Sequence, residues 1–406
     1  MRITRLTDEL AENGHHIRVL SRTVPPGTSM VREPGPGIEI LRTSPGAFEA
    51  LIDKASTRKI DSVAGGKLVD ANVVPIHSGL NWKGRTVGIA RQVMDLLTFA
   101  DGRSAWSRGA ISAGQKLIAQ LRPDLLVASH EPAASLQVAL ALADRFRLPL
   151  LAELGDPVMA PYTPRHWRSR AFKLEAEVCR KAGAVVVTSQ ATAELLEHRH
   201  GFGGKYHVIP QGFSASTPST PIQPDTGSGL HLVYTGRFYP FRDPAEVVQA
   251  VLAVPGCRLT VAGPALPSSV AEVFVTHPDR LCYLGQLHND EAVTLQKGAD
   301  LLLNIGNAGM SQLPGKLLEY LGAGRPVLHV KADVSDAAVA IVEMEQCGFV
   351  VGPGKAEIAM KLQHLLCLKQ SGQLEEGLRL GQDTFAKYRW DVLAKRLEQV
   401  CLSLLV

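Results

Sequence analysis

The chain has 406 residues, of which 45% are hydrophobic and 20% charged, and its formal net charge is +4. These values fit a globular protein of two domains and exclude low-complexity and collagen-like chains. Six cysteines without a C-x-x-C pair argue against a disulfide framework or zinc site and fit a reducing cytosol; no apolar run nears a membrane span and no signal-peptide core opens the sequence.

Strand-like apolar runs alternate with helical patterns along the first half. Strands are expected at 17–21, 38–42, 124–129, 148–154, 184–189 and 207–210, with helices at 132–146, 165–182 and 191–200. Between 43 and 81 only a loose helix and a strand near 73–76 suggest themselves. Residues 214–229 are rich in Pro, Ser, Thr and Gly and read as a linker. The pattern then restarts, with strands at 231–235, 258–262, 281–284, 300–305, 326–330 and 349–351. Asp243-Pro244-Ala245-Glu246 has the form of a capped helix start. Alternation of this kind means βαβ units and parallel sheets. The expected layout is a first Rossmann-like domain at 1–213, a linker at 214–229, a second domain at 230–386, and a C-terminal helical segment at 387–406 packing back on the first. Two such domains leave a cleft between them, a natural ligand site.

The charge is uneven. Residues 1–213 carry 27 Lys and Arg against 20 Asp and Glu, while the remainder carries 16 against 19. Cations cluster with aromatic residues at Trp82-Lys83-Gly84-Arg85 through Arg91, with Arg103 and Trp106 to Arg108, and again from Arg165 to Lys173. Such a mixture suits an anionic membrane surface and equally a solvated helix face. Without a recognised binding module it does not point to nucleic acid.

The segment Pro314-Gly315-Lys316-Leu317-Leu318-Glu319-Tyr320-Leu321-Gly322 reads as a short helix with a glycine stop, following the strand at 300–305. Lys316 and Glu319, three apart, share one side of it. Ligands of open α/β sheets bind at that carboxyl edge, and a carboxylate there can accept from both hydroxyls of a ribose; a solvated ion pair is the competing reading. No G-x-G-x-x-G follows a strand, Gly315-Lys316 lacks P-loop spacing, there is no G-x-S-x-G, and the close His pairs lack metal-ligand context. No bound catalytic metal is expected, and the absence of a D-x-D triplet argues against a metal–diphosphate clamp.

Several segments together resemble a known family. Leu10-Ala11-Glu12-Asn13-Gly14-His15-His16-Ile17 is similar to a helix-Gly-His-strand opening. Ala184 to Ser189 and Val208-Ile209-Pro210-Gln211-Gly212-Phe213 resemble the strand-Ser and Ile-Pro-Asn-Gly-Val segments. Val233-Tyr234-Thr235-Gly236-Arg237 resembles the Gly-Arg turn opening the donor domain, and Lys316 to Pro326 the Lys-x-x-Glu-Tyr-x-x-x-Gly-x-Pro block. In order and spacing these resemble the retaining, GT-B fold glycosyltransferases of family four, which build bacterial polysaccharides and glycolipids.

The resemblance implies an α/β GT-B fold and transfer of a hexose from a nucleotide-diphosphate sugar, with no cofactor, to a glycan or lipid-linked acceptor. Arg237 matches the arginine that binds the donor diphosphate. Arg242 stands where a lysine is usual, and Gly236 forms the turn before them. Two cations at a leaving diphosphate stabilise charge that grows in the transition state. Glu319 matches the second Glu of an E-x7-E pattern, the ribose holder; Ser311 stands in place of the first, which bears on the donor sugar. The backbone of Ser311, Gln312 and Leu313, together with Lys316, completes the expected donor set. Ser129-His130-Glu131-Pro132 resembles the His-Glu-Pro segment of the family's mannosyltransferases and makes His130 the leading acceptor-side residue, with Glu131 and Asp156 beside it. The family opens with a strand and glycine-rich loop before the helix at which this chain starts, so an upstream start or a truncated chain is an expectation. The implied setting is cytoplasmic, with peripheral contact on the inner face of the membrane. A nucleotide-sugar-binding subunit of weak or no activity, or an epimerase of the same fold, are the alternatives.

Overall fold

A computed structural model describes residues 2–23, 35–45, 104–215, 227–239, 242–307, 315–333 and 336–405. The chain divides into two compact units, one holding residues 3–208 with Leu397–Val406, the other spanning Ile209–Arg396.

The first unit opens with helix α1 (Arg2–Glu12), whose Leu6 is fully buried, and a parallel strand pair, β1 (Ile17–Arg22) with β2 (Ile38–Thr43). Helix α2 (Ser104–Gln120) follows and was not anticipated from the sequence, where its start reads as part of a basic stretch. Its Gly114 permits close packing on helix α3 (Ala133–Phe146): an added Cβ would lie 2.6 Å from Leu142. Strands β3 (Leu126–His130), β4 (Leu150–Leu154), β5 (Ala184–Val187) and β6 (Tyr206–Val208) form a four-stranded parallel sheet in that order. Helices α4 (Arg168–Lys181) and α5 (Gln190–His200) connect them. The strand expected to run to Ser189 stops at Val187, because the Ser189 hydroxyl accepts from the Thr192 amide and caps α5.

A buried carboxylate ties these helices together. Glu175 accepts from the Met159 amide at 2.8 Å, from Arg199 at 3.1 Å and from His200 at 2.9 Å. The final residues also belong here: His15 Nε2 meets Glu398 Oε1 at 2.7 Å, and a Cβ on Gly183 would touch Leu404 at 2.8 Å.

The second unit is a six-stranded, all-parallel sheet. Its members are β7 (Leu230–Thr235), β8 (Cys257–Ala262), β9 (Leu281–Tyr283), β10 (Leu301–Ile305), β11 (Val327–Val330) and β12 (Gly348–Val351), ordered β12-β11-β10-β7-β8-β9. Nearly every residue of β7, β10 and β11 is buried, as expected of strands covered by helices on both faces. Those helices are α6 (Ala245–Ala253), α7 (Ser268–Thr276), α8 (Asn289–Lys297), α9 (Gly315–Leu321), α10 (Ala337–Met344) and α11 (Lys355–Gln370). A 3₁₀ segment (Gln382–Tyr388) leads to α12 (Trp390–Ser403). The order reverses between β7 and β10, the topological switch point at which open α/β sheets take ligands.

At the start of α6, Asp243 accepts from the Ala245 amide at 3.1 Å. Glu246 does not close a capping box as the spacing suggests; it accepts from the Lys355 amide at 2.9 Å instead, tying α11 to α6. The segment after β6 groups with the second unit. Phe213 exchanges backbone hydrogen bonds with Tyr388 and Trp390 at 3.1 and 3.0 Å, and only glycine fits at 322, where a Cβ would lie 2.5 Å from the Phe213 ring. All six cysteines are free thiols. The element expected at 73–76, the basic stretch up to Arg103 and most of the linker lie outside the described residues.

Candidate functional site

The chain leaves β7 through Gly236, whose φ of +144° suits glycine. Its amide donates to Ala262 O at 2.8 Å. A Cβ on the neighbouring Gly263 would fall 2.0 Å from Gly236 O, so this turn passes directly over the end of β8. Arg237 comes next. Its side chain is exposed and its guanidinium has no hydrogen-bond or ionic partner among the described residues. Tyr234, the penultimate residue of β7, curls the loop back: its hydroxyl donates to Arg237 O at 3.0 Å and its ring stacks on Phe238 with centroids 4.3 Å apart.

Arg242 lies at the sheet edge and is only 8% exposed. Its Nη2 donates to Asn307 Oδ1, at the exit from β10, and its Nη1 to the Tyr234 hydroxyl at 3.5 Å. The guanidinium also lies 5.7 Å from the Tyr239 ring centre, and its Nε is buried without a partner among the described residues. Burial raises the Tyr234 hydroxyl above its ordinary range, with the Arg242 cation opposing that shift.

Helix α9 buries Leu317, Leu318, Tyr320 and Leu321 and leaves Lys316 and Glu319 on its other side. It is fastened to β7 by Tyr320, whose hydroxyl accepts from the Thr235 amide at 2.9 Å and donates to Thr235 O at 3.3 Å. Burial pushes that phenol well above its ordinary range. The Gln296 amide holds Thr235 Oγ1 from below at 2.7 Å. Lys316 Nζ and Glu319 Oε2 form the ion pair that the i, i+3 spacing predicts, at 2.7 Å. The Lys316 stem runs along Gly236, where a Cβ would sit 3.6 Å from Lys316 Cγ. Glu319 Oε1 is buried and has no partner among the described residues. Gln211 reaches the first turn of α9, with its Cγ 3.5 Å from where a Gly315 Cβ would be.

Gly236, Arg237, Arg242, Lys316 and Glu319 therefore gather at the switch point. Ser311, Gln312 and Leu313 lie outside the described residues. Sequence reasoning missed Tyr234, Asn307, Tyr320 and Gln211. It also missed a buried chain behind them: Asn304 donates to His329 Nδ1 at 2.8 Å, and His329 Nε2 meets Asp336 Oδ2 at 3.1 Å. Asp336 further accepts from the amides of Ala332 and Ala338, both at 3.0 Å. Burial alone would raise the Asp336 carboxyl, but these bonds hold it below the usual carboxylate range. The available signal was Asn304-Ile305-Gly306-Asn307, two amides closing an otherwise apolar strand.

The second cluster of predicted residues lies in the first unit, at the carboxyl edge of β3 and β4. His130 is buried and its Nδ1 lies 2.9 Å from Asp156 O. A carbonyl only accepts, so Nδ1 carries the hydrogen, and in the neutral ring Nε2 presents a lone pair. Both peptide bonds of His130-Glu131-Pro132 are cis. Ser135 Oγ donates to Pro132 O at 2.7 Å, and Ser129 Oγ to the buried Glu153 carboxylate at 2.6 Å, holding the turn. Glu131 is exposed, whereas the Asp156 carboxylate accepts from the Tyr162 hydroxyl at 2.8 Å. Around α4, Arg165, His166, Arg170, Phe172 and Lys173 are exposed; Arg168 is engaged, donating to Thr163 O and Pro161 O. Among the described residues no group of three or more His, Cys, Asp or Glu is placed to hold a metal ion, and no helix is long and apolar enough to cross a membrane.

Residues 81–216 match the family model described as Glycosyltransferase Family 4. No curated protein matches the chain. Among solved structures it is similar to Alr3699/HepE from Anabaena in complex with UDP, at 15% identity and a TM-score of 0.59, over 95% of this chain and 99% of that one. A glycosyltransferase from Rickettsia africae covers 96% and 98% at 13% identity and a TM-score of 0.55. The lipopolysaccharide outer core galactosyltransferase WaaB, in its apo form, covers 95% and 99% at 13% identity and a TM-score of 0.54. The chain has the α/β fold of GT-B glycosyltransferases, with two Rossmann-like units.

Proposed function

We propose that the protein is a glycosyltransferase that moves a hexose, with retention, from a nucleotide-diphosphate sugar to a glycan or lipid-linked acceptor in cell-surface polysaccharide or glycolipid synthesis. The observation that carries the reading is the set of groups at the switch point: among the described residues, one exposed arginine without a partner, one buried arginine without a counter-ion, and a half-buried carboxylate whose Oε1 is buried and open. Complexes of Alr3699/HepE with UDP and with UDP-glucose support a nucleotide sugar as the donor.

In this reading Glu319 Oε1 accepts from the ribose hydroxyls while Lys316 holds the other carboxylate oxygen. Arg237 and Arg242 hold the diphosphate and stabilise it as it leaves, the role a metal ion plays in other transferases. His130 Nε2 accepts from a sugar hydroxyl on the acceptor side. The exposed cations around α4 support contact with anionic lipid on the inner face of the membrane.

Titration calorimetry of the full chain with UDP, GDP and ADP tests the donor site. One nucleotide should bind, and Glu319→Ala should weaken it by about tenfold or more, the worth of a hydrogen bond to a charged group. Release of that nucleotide from its sugar conjugate in the presence of lipid-linked glycan acceptors tests transfer. Binding without turnover on any acceptor would support a binding subunit instead, and no binding would end the nucleotide-sugar reading.

A further inference from the structure

We propose that Asn307 is a positioning residue for Arg242, a neutral acceptor that aims the guanidinium without cancelling its charge. The inference rests on the nucleotide-sugar reading above. A guanidinium has only donors, so the Asn307 atom that faces it is the carbonyl oxygen. The second acceptor, the Tyr234 hydroxyl, is neutral as well.

Among the described residues Arg242 is thus buried at 8% exposure with no carboxylate paired to it and no partner for its Nε. A buried cation is costly unless an anion meets it. Other buried charges of this unit do have such partners: Asp300 pairs with Lys369, and Glu345 with Lys387. Among the described residues Arg242 stands apart as a buried charge without a counter-ion, and a diphosphate would supply one. Asn307 suits that task better than aspartate would. A carboxylate would hold the arginine more firmly and also occupy its charge. The amide fixes two of the variables that matter, the direction of the fork and its distance from the sheet edge, and leaves the charge for the ligand.

Two variants of the full chain, Asn307→Ala and Asn307→Asp, test this by calorimetry with UDP, GDP and ADP, each paired with its own nucleoside. The expected result is about a tenfold loss of diphosphate affinity in Asn307→Ala, with nucleoside affinity within about twofold of the parent. Asn307→Asp should lose at least as much, although it gives Arg242 a stronger anchor. A purely structural role predicts the opposite order, with aspartate restoring the site. Restoration by Asn307→Asp, unchanged binding in both variants, or equal losses for nucleoside and diphosphate would each overturn the proposal while leaving the donor-site reading intact. Absence of nucleotide binding by the unaltered chain would overturn both.

Discussion

Tyr320→Phe removes one oxygen from the centre of the second unit. The hydroxyl accepts from the Thr235 amide at 2.9 Å and donates to Thr235 O at 3.3 Å. Tyr320 is 0% and Thr235 2% exposed, so water does not replace the lost partner. An orphaned buried amide costs roughly 1–3 kcal/mol, and a central value of about 2 kcal/mol applies here because the ring itself stays packed. For a unit of the size of Ile209–Arg396 this lowers the melting temperature by about 4–8 °C. Scanning calorimetry reads the change. Tyr206→Phe is the control: its hydroxyl bonds Gly201 O at 2.8 Å at an exposed site, where the loss is about 1 kcal/mol or less. The phenol also carries a pH signature. Burial raises its pKa in the folded state, so its contribution is full below the unfolded value of about 10 and is lost as pH rises through the folded value. The gap between parent and variant should therefore narrow above about pH 10. A variant that melts within about 1 °C of the parent at pH 7 would refute the idea that this hydroxyl fastens α9 to β7.

Asp336→Asn should lower the urea midpoint at neutral pH, since an amide cannot accept at both oxygens from His329, Ala332 and Ala338. The Asp336 carboxyl lies below its ordinary range, so its contribution is present above the unfolded pKa of about 3.9 and is lost as pH falls through the folded value. The two urea midpoints should converge below about pH 4, and a gap independent of pH would contradict the assignment. Gly263→Ala places a Cβ 2.0 Å from Gly236 O, a backbone atom that cannot step aside. Overpacking of this kind costs about 1–3 kcal/mol and should displace the Gly236-Arg237 turn, cutting nucleoside diphosphate affinity about tenfold while circular dichroism stays unchanged. Unaltered affinity would mean the turn contributes nothing to binding.

Much of the second unit could be read from sequence because its strands are unbroken apolar runs between glycine and proline signals. The pairing of Lys316 with Glu319 also followed from local spacing, since i, i+3 neighbours meet without help from tertiary structure. What could not be read were contacts between residues far apart in the chain. Arg242 was visible as a charge near a turn, but not that Asn307, 65 positions on, would receive it. Tyr320 read as one more apolar position of an amphipathic helix; its hydroxyl acquires meaning only when β7 runs past it. Glu246 shows the converse: its local pattern was a capping box, and a backbone amide of a distant helix outcompeted the near one. In the first unit, α2 escaped notice because Ser104 to Arg108 mixes charge and tryptophan without a clear stripe.

The strand pair β1–β2 bears on how the first unit opens. Among the described residues it is hydrogen-bonded as a ribbon of two parallel strands, separate from the four-stranded sheet. Two strands alone are marginally stable in water, so this ribbon depends on the helices that cover it rather than on its own ladder. Local unfolding therefore has a natural seam. The amides of Ile17–Arg22 and Ile38–Thr43 should exchange with solvent deuterium well before those of Leu150–Leu154 and Ala184–Val187, whose strands are paired on both sides. The unit would then have a late-melting half that carries His130 and an early-melting half that does not, so that warming or denaturant could loosen one without first disturbing the other.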